Sequence, residues 1–183
     1  MTSRDDSGLA KLRRIVTTHD AAGKSTIQID EELVTGAAGI PGARLGPMWV
    51  TTDSLPTNDN NTNEDGGKRI IEDATNFKIV HPTGTNLQTS ELGPGATIPM
   101  HRTSSLDYNI LLAGEVVHVT EDGQEKHLKN PGDTVIQKGT MHAWRNPSTE
   151  HWARWITVLM AAEPAVVDGS PLLPEFNIPG SKK

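Results

Sequence analysis

Over the second half of the chain, apolar and polar residues alternate in short runs separated by Gly, Pro, Asn and Asp. This pattern predicts strands at Phe77–His81, Leu87–Leu92, Leu106–Leu112, Glu115–Thr120, Glu125–Leu128, Asp133–Gln137, His142–Asn146 and Trp152–Leu159. Turn residues stand between them, as in Pro82-Thr83-Gly84, Gly93-Pro94-Gly95, Glu121-Asp122-Gly123 and Asn130-Pro131-Gly132. Closely spaced strands joined by such turns predict an all-β antiparallel sandwich or small barrel. The single helix-like stretch, Lys68–Asn76, is short.

The first half reads differently. Leu12–Thr18 and Ser25–Asp30 alternate like two strands around a turn at His19–Lys24, which predicts an N-terminal hairpin. Gly36–Pro47 is rich in Gly and Pro and reads as an irregular, extended arm, followed by a short strand at Met48–Thr52 with Trp49 as its anchor. Ser54–Gly67 has almost no apolar residue to offset the entropy of ordering, so a mobile loop is expected there. The tail, Glu163–Lys183, carries four prolines and no strand alternation. It is expected to be extended, laid over the barrel or a partner subunit, or frayed. The chain of 183 residues thus divides into an arm and loop (1–76), a barrel (77–162) and a tail (163–183) within one domain.

Composition narrows the function. A net charge of −6 with no basic block opposes binding to nucleic acid or to an anionic membrane. No run approaches the roughly 20 apolar residues needed to span a bilayer, and the polar start Met1–Gly8 lacks the pattern of a secretory signal. A cytoplasmic location is expected, and the sequon Asn60-Asn61-Thr62 is read as unused. The absence of cysteine removes disulfides, thiol nucleophiles and iron–sulfur clusters, so any metal must sit on His, Asp, Glu or neutral oxygen.

Two constellations carry candidate chemistry. The first is Gly95-(5)-His101-x-Thr103-(3)-Asp107-(6)-Gly114, and the second runs from Gly132 through Gly139 to His142 and Asn146. Together they resemble the two motifs of the cupin superfamily, G-x5-H-x-H-x(3,4)-E-x6-G and G-x5-P-x-G-x2-H-x3-N. Thr103 replaces the second His and Asp107 the Glu, while the second motif is one residue shorter and lacks its Pro. The strings around His101, Gly132–Thr140 and His142–Asn146 are similar to small single-domain cupins of bacterial and fungal secondary-metabolite clusters, over about residues 12–160. The resemblance implies a single jelly-roll barrel with an N-terminal arm, in a group commonly labelled cupin-type oxidoreductases.

On a strand, residues two apart share a face, so His101 and Thr103 point into the barrel, with Asp107 joining them after a turn and His142 arriving from another strand. Two imidazoles and a carboxylate are a ligand set for iron, manganese or zinc with open positions, acting as Lewis acid or oxygen activator. The same three groups without metal form an acid–base set suited to a dehydratase, isomerase or decarboxylase. A non-catalytic binding barrel is the third reading. No organic cofactor is expected.

Around this centre, Trp144 shares the inward face of His142, and Asn109 shares that of Asp107. With Thr103 and Trp49 they are candidate contacts for a small acid, phenol or polyketide-type substrate, although Trp49 serves equally well as a staple for the arm. Arg102, on the opposite parity from His101, is expected to tie the barrel to a neighbouring segment. His118, His127 and His151 are read as surface or interface residues, and His19 and His81 as structural. A homodimer formed through the extended arm is expected.

Overall fold

The computed structural model describes residues 6–177. Its strands are β1 (Leu12–His19), β2 (Ser25–Leu33), β3 (Gly36–Ala37), β4 (Ala43–Thr51), β5 (Thr85–Leu92), β6 (Thr97–Arg102), β7 (Ser105–Ala113) and β8 (Val116–Thr120). There follow β9 (Glu125–Leu128), β10 (Thr134–Lys138), β11 (His142–Arg145), β12 (Ala153–Ala161), β13 (Val166–Val167), β14 (Ser170–Pro171) and β15 (Glu175–Phe176). Six strands in the order β10-β7-β12-β5-β4-β3 make one sheet, and five in the order β15-β6-β11-β8-β9 make the other. All pairings are antiparallel, as expected of a jelly roll. The fold is all-β, and no helix among the described residues is long and apolar enough to cross a membrane.

Alternation decides what each strand turns inward. On β7, Ser105, Asp107, Asn109 and Leu111 are buried while Leu106, Tyr108 and Ile110 are not, so a strand of mixed composition presents polar groups to the interior. The apolar core lies at one end, where Leu92, Leu111, Val116, Leu128, Trp144 and Trp155 pack together. Gly114 ends β7 at a close crossing: its φ is +71°, and a Cβ added there would lie 2.5 Å from the carbonyl oxygen of Trp152. Only glycine fits.

Several expectations are corrected. Phe77–His81 is a turn rather than a strand, because Phe77 and Lys78 adopt φ of 56° and 60° in the left-handed region. The alternation there records Val80, which is buried in a loop. Lys68–Asn76 is not one helix; short 3₁₀ turns occupy Gly66–Lys68 and Ala74–Asn76, each with an aspartate side chain accepting from its first turn. Thr97–Arg102 is a strand that the pattern missed. The polar loop Ser54–Gly67 is tied down: Trp49 Nε1 donates to Asp59 at 2.7 Å, Arg69 donates to Asp59 at 2.8 Å, and Arg14 donates to Asp65 at 2.7 Å. These charge-assisted bonds supply the ordering energy that apolar contacts do not.

The tail lies over the chain's own barrel. β15 pairs with β6, the Asn177 amide donates to the Met100 carbonyl at 2.8 Å, and Arg102 Nε donates to the Leu173 carbonyl at 2.9 Å. The neighbour expected for Arg102 is therefore this tail. The end of the tail, 178–183, and the first residues of the polar start, 1–5, lie outside the described residues.

The arm covers the outer face of the six-stranded sheet. There Glu91, fully buried, accepts from Arg154 Nε at 2.8 Å and from Thr35 Oγ1 at 3.0 Å, while Arg154 also donates to the Ala10 carbonyl. Removing the cation would leave a buried carboxylate without its main partner. Arg154→Met is expected to cost about 3–5 kcal/mol in urea unfolding; a loss under about 1 kcal/mol would contradict this role.

Candidate active site

Between the two sheets lies a cavity of about 320 Å³. The antiparallel register of β6 and β11 sets His142 opposite His101, and their ring centroids are 4.3 Å apart. On the other side of β11, Trp144 pairs with His118 of β8, whose ring stacks on His142 at 5.5 Å. Trp144 in turn stacks on Trp155 of the opposite sheet at 5.4 Å. The interior therefore contains a continuous column of three imidazoles and two indoles.

The hydrogen bonds fix the tautomers. His101 Nδ1 donates to the Pro99 carbonyl at 2.8 Å, and His142 Nδ1 donates to the Thr140 carbonyl at 2.9 Å. A carbonyl oxygen can only accept, so each neutral ring keeps Nε2 as an acceptor. His118 is held the other way, its Nε2 donating to Gln137 Oε1 at 2.6 Å, while Gln137 Nε2 donates to Thr140. Burial lowers the pKa of all three rings, and that of His142 falls to about 3, with the neighbouring His101 adding to the effect. At neutral pH the column carries no charge.

Asp107 enters from β7, in the opposite sheet, and lines the cavity at 4 % exposure. Burial pushes its carboxyl up to about 6, against a hydrogen bond from Ser105 that favours the anion. Thr103 Oγ1 and Ser105 Oγ lie 2.8 Å apart and complete this polar strip. Asp107 Oδ1 has no hydrogen-bond partner.

The structure brings His101, Asp107, His142, Thr103, Asn109 and Trp144 to one cavity. Trp49 is elsewhere: its indole bonds Asp59, faces Arg69 at 5.8 Å and packs on Gly66, so it staples the arm and does not touch this cavity. The three-ligand metal set is not assembled either, since among the described residues no three His, Asp or Glu groups are placed to hold one ion. The two imidazoles belong to one sheet and the shorter Asp side chain to the other.

His118 is a correction as well. It is buried inside the barrel and not at a surface, and its parity with core residue Val116 was the available signal. Sequence reasoning also missed Gln88 and Ser90 of β5, which line the cavity from strand positions of the same parity as Leu92. Phe77 and Phe176 also line the cavity, with centroids 5.6 Å apart and Phe176 5.4 Å from His101. Neither could be placed from local pattern, one being in a turn and one in the tail.

The chain is 31 % identical over 171 residues to Phomopsin biosynthesis cluster protein C' of Diaporthe leptostromiformis, covering 93 % of this chain and 89 % of that protein. It is 31 % identical over 166 residues to the cupin-domain-containing oxidoreductase srdB of Neurospora crassa, covering 90 % and 81 %. Residues 88–159 match the cupin domain family. The chain belongs to the cupins. A solved cupin-2 domain of Rhodospirillum rubrum aligns with a TM-score of 0.46 at 11 % identity, over 80 % of this chain and 75 % of that one. The family match contains the imidazoles, Asp107, Gln88 and both indoles of this cupin, whereas Phe77 and Phe176 lie outside it.

The shifted groups make stability depend on pH in opposite senses. His142, with its pKa lowered from 6.5 to about 3, contributes fully above pH 6.5, and this is lost as pH falls toward 3. Asp107, with its pKa raised from 3.8 to about 6, favours the fold below pH 3.8, and this is lost as pH rises through 6. Urea midpoints measured across pH 4–8 are expected to show both effects. His142→Gln should flatten the acid side, and Asp107→Asn should remove the decline through pH 6; unchanged profiles in both variants would contradict these assignments.

Proposed function

We propose that this cupin is a metal-independent acid–base enzyme of secondary metabolism, moving a proton beside a carbonyl group of a small, flat, mostly apolar metabolite. Isomerisation, dehydration and decarboxylation are the reactions such a set supports. The observation that carries the reading is Asp107: a buried carboxyl in the cavity wall that burial raises to a pKa of about 6. A base poised close to working pH is what proton abstraction needs.

The other groups have supporting roles. The Nε2 atoms of His101 and His142 accept hydrogen bonds from a hydroxyl of the bound molecule, and each ring is oriented by its backbone carbonyl. Trp144 and Trp155 offer flat apolar area to a ring system. The biosynthesis-cluster and oxidoreductase names of the relatives support a metabolite-tailoring role in general, and the donor set of this chain favours proton transfer within it.

The test uses 2-tetralone, a flat ketone with an acidified C–H, in deuterated buffer. The protein is expected to accelerate hydrogen–deuterium exchange seen by NMR, with a rate rising through pH 6 and then level. Asp107→Asn should lose roughly 100-fold or more, and exhaustive chelation should change nothing. Exchange indifferent to Asp107→Asn would contradict the reading and leave a binding barrel. Near-stoichiometric iron, manganese or zinc by elemental analysis, lost in His101→Ala together with activity, would instead establish the metal-dependent reading.

A further inference from the structure

On the sheet opposite the imidazoles, polar side chains form a row that the protein itself only half uses. Gln88 on β5 and Asn109 on β7 are both register partners of Thr157 on β12, so the three span neighbouring strands on the cavity side. Asn86 Nδ2 donates to the Ile79 carbonyl at 2.9 Å and to Gln88 at 3.1 Å. Because the Ile79 carbonyl can only accept, the Asn86 nitrogen is fixed, and the Gln88 atom that it meets must be the amide oxygen. Gln88 Nε2 is thereby turned away, with no partner among the described residues.

Asn109 is placed by a hydroxyl, a group that can donate or accept. Its Oδ1 accepts from Thr157 Oγ1 at 2.9 Å, which leaves Nδ2 as an unused donor. Ser90, two residues along β5, adds a hydroxyl with no protein partner. Gln88, Asn109 and Ser90 are 8 %, 4 % and 5 % exposed, yet their donor atoms are not among the buried atoms sealed without a partner. They therefore open onto the cavity. Buried amide donors are costly unless something accepts from them.

We infer that this row is an oxygen-binding floor, which holds the carbonyl of a flat ketone through Gln88 and Asn109 and stabilises the enolate formed from it. The inference rests on the acid–base reading and names the substrate group that the reading needs. Asp107 and Asn109 share one face of β7. When the Asp107 carboxylate takes the C–H proton, the bonding pair moves to the carbonyl oxygen, so charge appears beside the carboxyl, where neutral N–H donors wait. No oxidant is required, and the enolate is quenched when a proton returns to carbon or when a leaving group departs. The Gln88 donor, already fixed by Asn86, needs no reorganisation as that charge develops. The cavity of about 320 Å³ has room for about two fused rings between this floor and the indoles.

The experiment compares 2-tetralone with tetralin, the hydrocarbon of the same shape. In wild-type protein, the side-chain NH₂ resonances of Gln88 and Asn109 in ¹H–¹⁵N spectra are expected to shift with 2-tetralone and stay within error with tetralin. Gln88→Met should weaken 2-tetralone binding at least about fivefold while leaving tetralin affinity within about twofold, which also shows that the cavity remains formed. NH₂ resonances unmoved by bound 2-tetralone, equal losses for both ligands, or no 2-tetralone binding at millimolar concentration would overturn the floor. Failure of the acid–base reading has a different signature: the NH₂ groups respond, but exchange at carbon does not depend on Asp107.

Discussion

The site depends on one pairing, that of β6 with β11, which sets the rings of His101 and His142 4.3 Å apart and tilted by 47° in the barrel interior. Two imidazolium ions at that separation would repel strongly, and burial lowers the pKa of each ring, so both are neutral at pH 7. Backbone carbonyls on each Nδ1 then settle which nitrogen faces the ligand. A break in register between His142 and Trp144 brings Ile98 of β6, on the opposite parity from His101, opposite Trp144 and into the cavity wall. Pairing, charge state and tautomer are thus one constraint seen at three levels.

The opposite sheet provides what the imidazoles lack. It brings a carboxyl with a raised pKa, amide donors and a second indole, while the other face of its strands buries the Glu91–Arg154 pair under the arm. β5 shows why the two faces can differ so much: Gln88 and Ser90 line the cavity, and between and beyond them Thr89 and Glu91 lie under the arm. The arm and the tail are working parts of the structure. One shields a buried ion pair, and the other carries Phe176 to the cavity wall beside His101.

Much of this was legible in the sequence, and the failures have physical causes. Period-two alternation located the barrel strands, and glycine-anchored spacing put His101, Asp107 and His142 in one interior, because local parity and turn geometry determine both. Distance was not legible: whether Asp107 on one sheet joins imidazoles on the other depends on how the sheets pack, which no spacing encodes. His118 was misread because a histidine outside a motif carries no label beyond its parity. Phe77 and Phe176 were missed because a left-handed turn and a two-residue bridge leave almost no periodic trace. The lack of apolar residues in Ser54–Gly67 predicts a mobile loop, whereas partners outside it, Arg14, Trp49 and Arg69, hold it by charge and hydrogen bonds.

The central claim, a neutral imidazole pair with both Nε2 atoms facing the ligand, is open to direct observation by long-range ¹H–¹⁵N correlation spectra of the histidine rings between pH 5 and 8. The account predicts the Nδ1–H tautomer for His101 and His142, with no titration of His142 in that range. Titration of His142 near pH 6.5, or the Nε2–H tautomer on both rings, would contradict it.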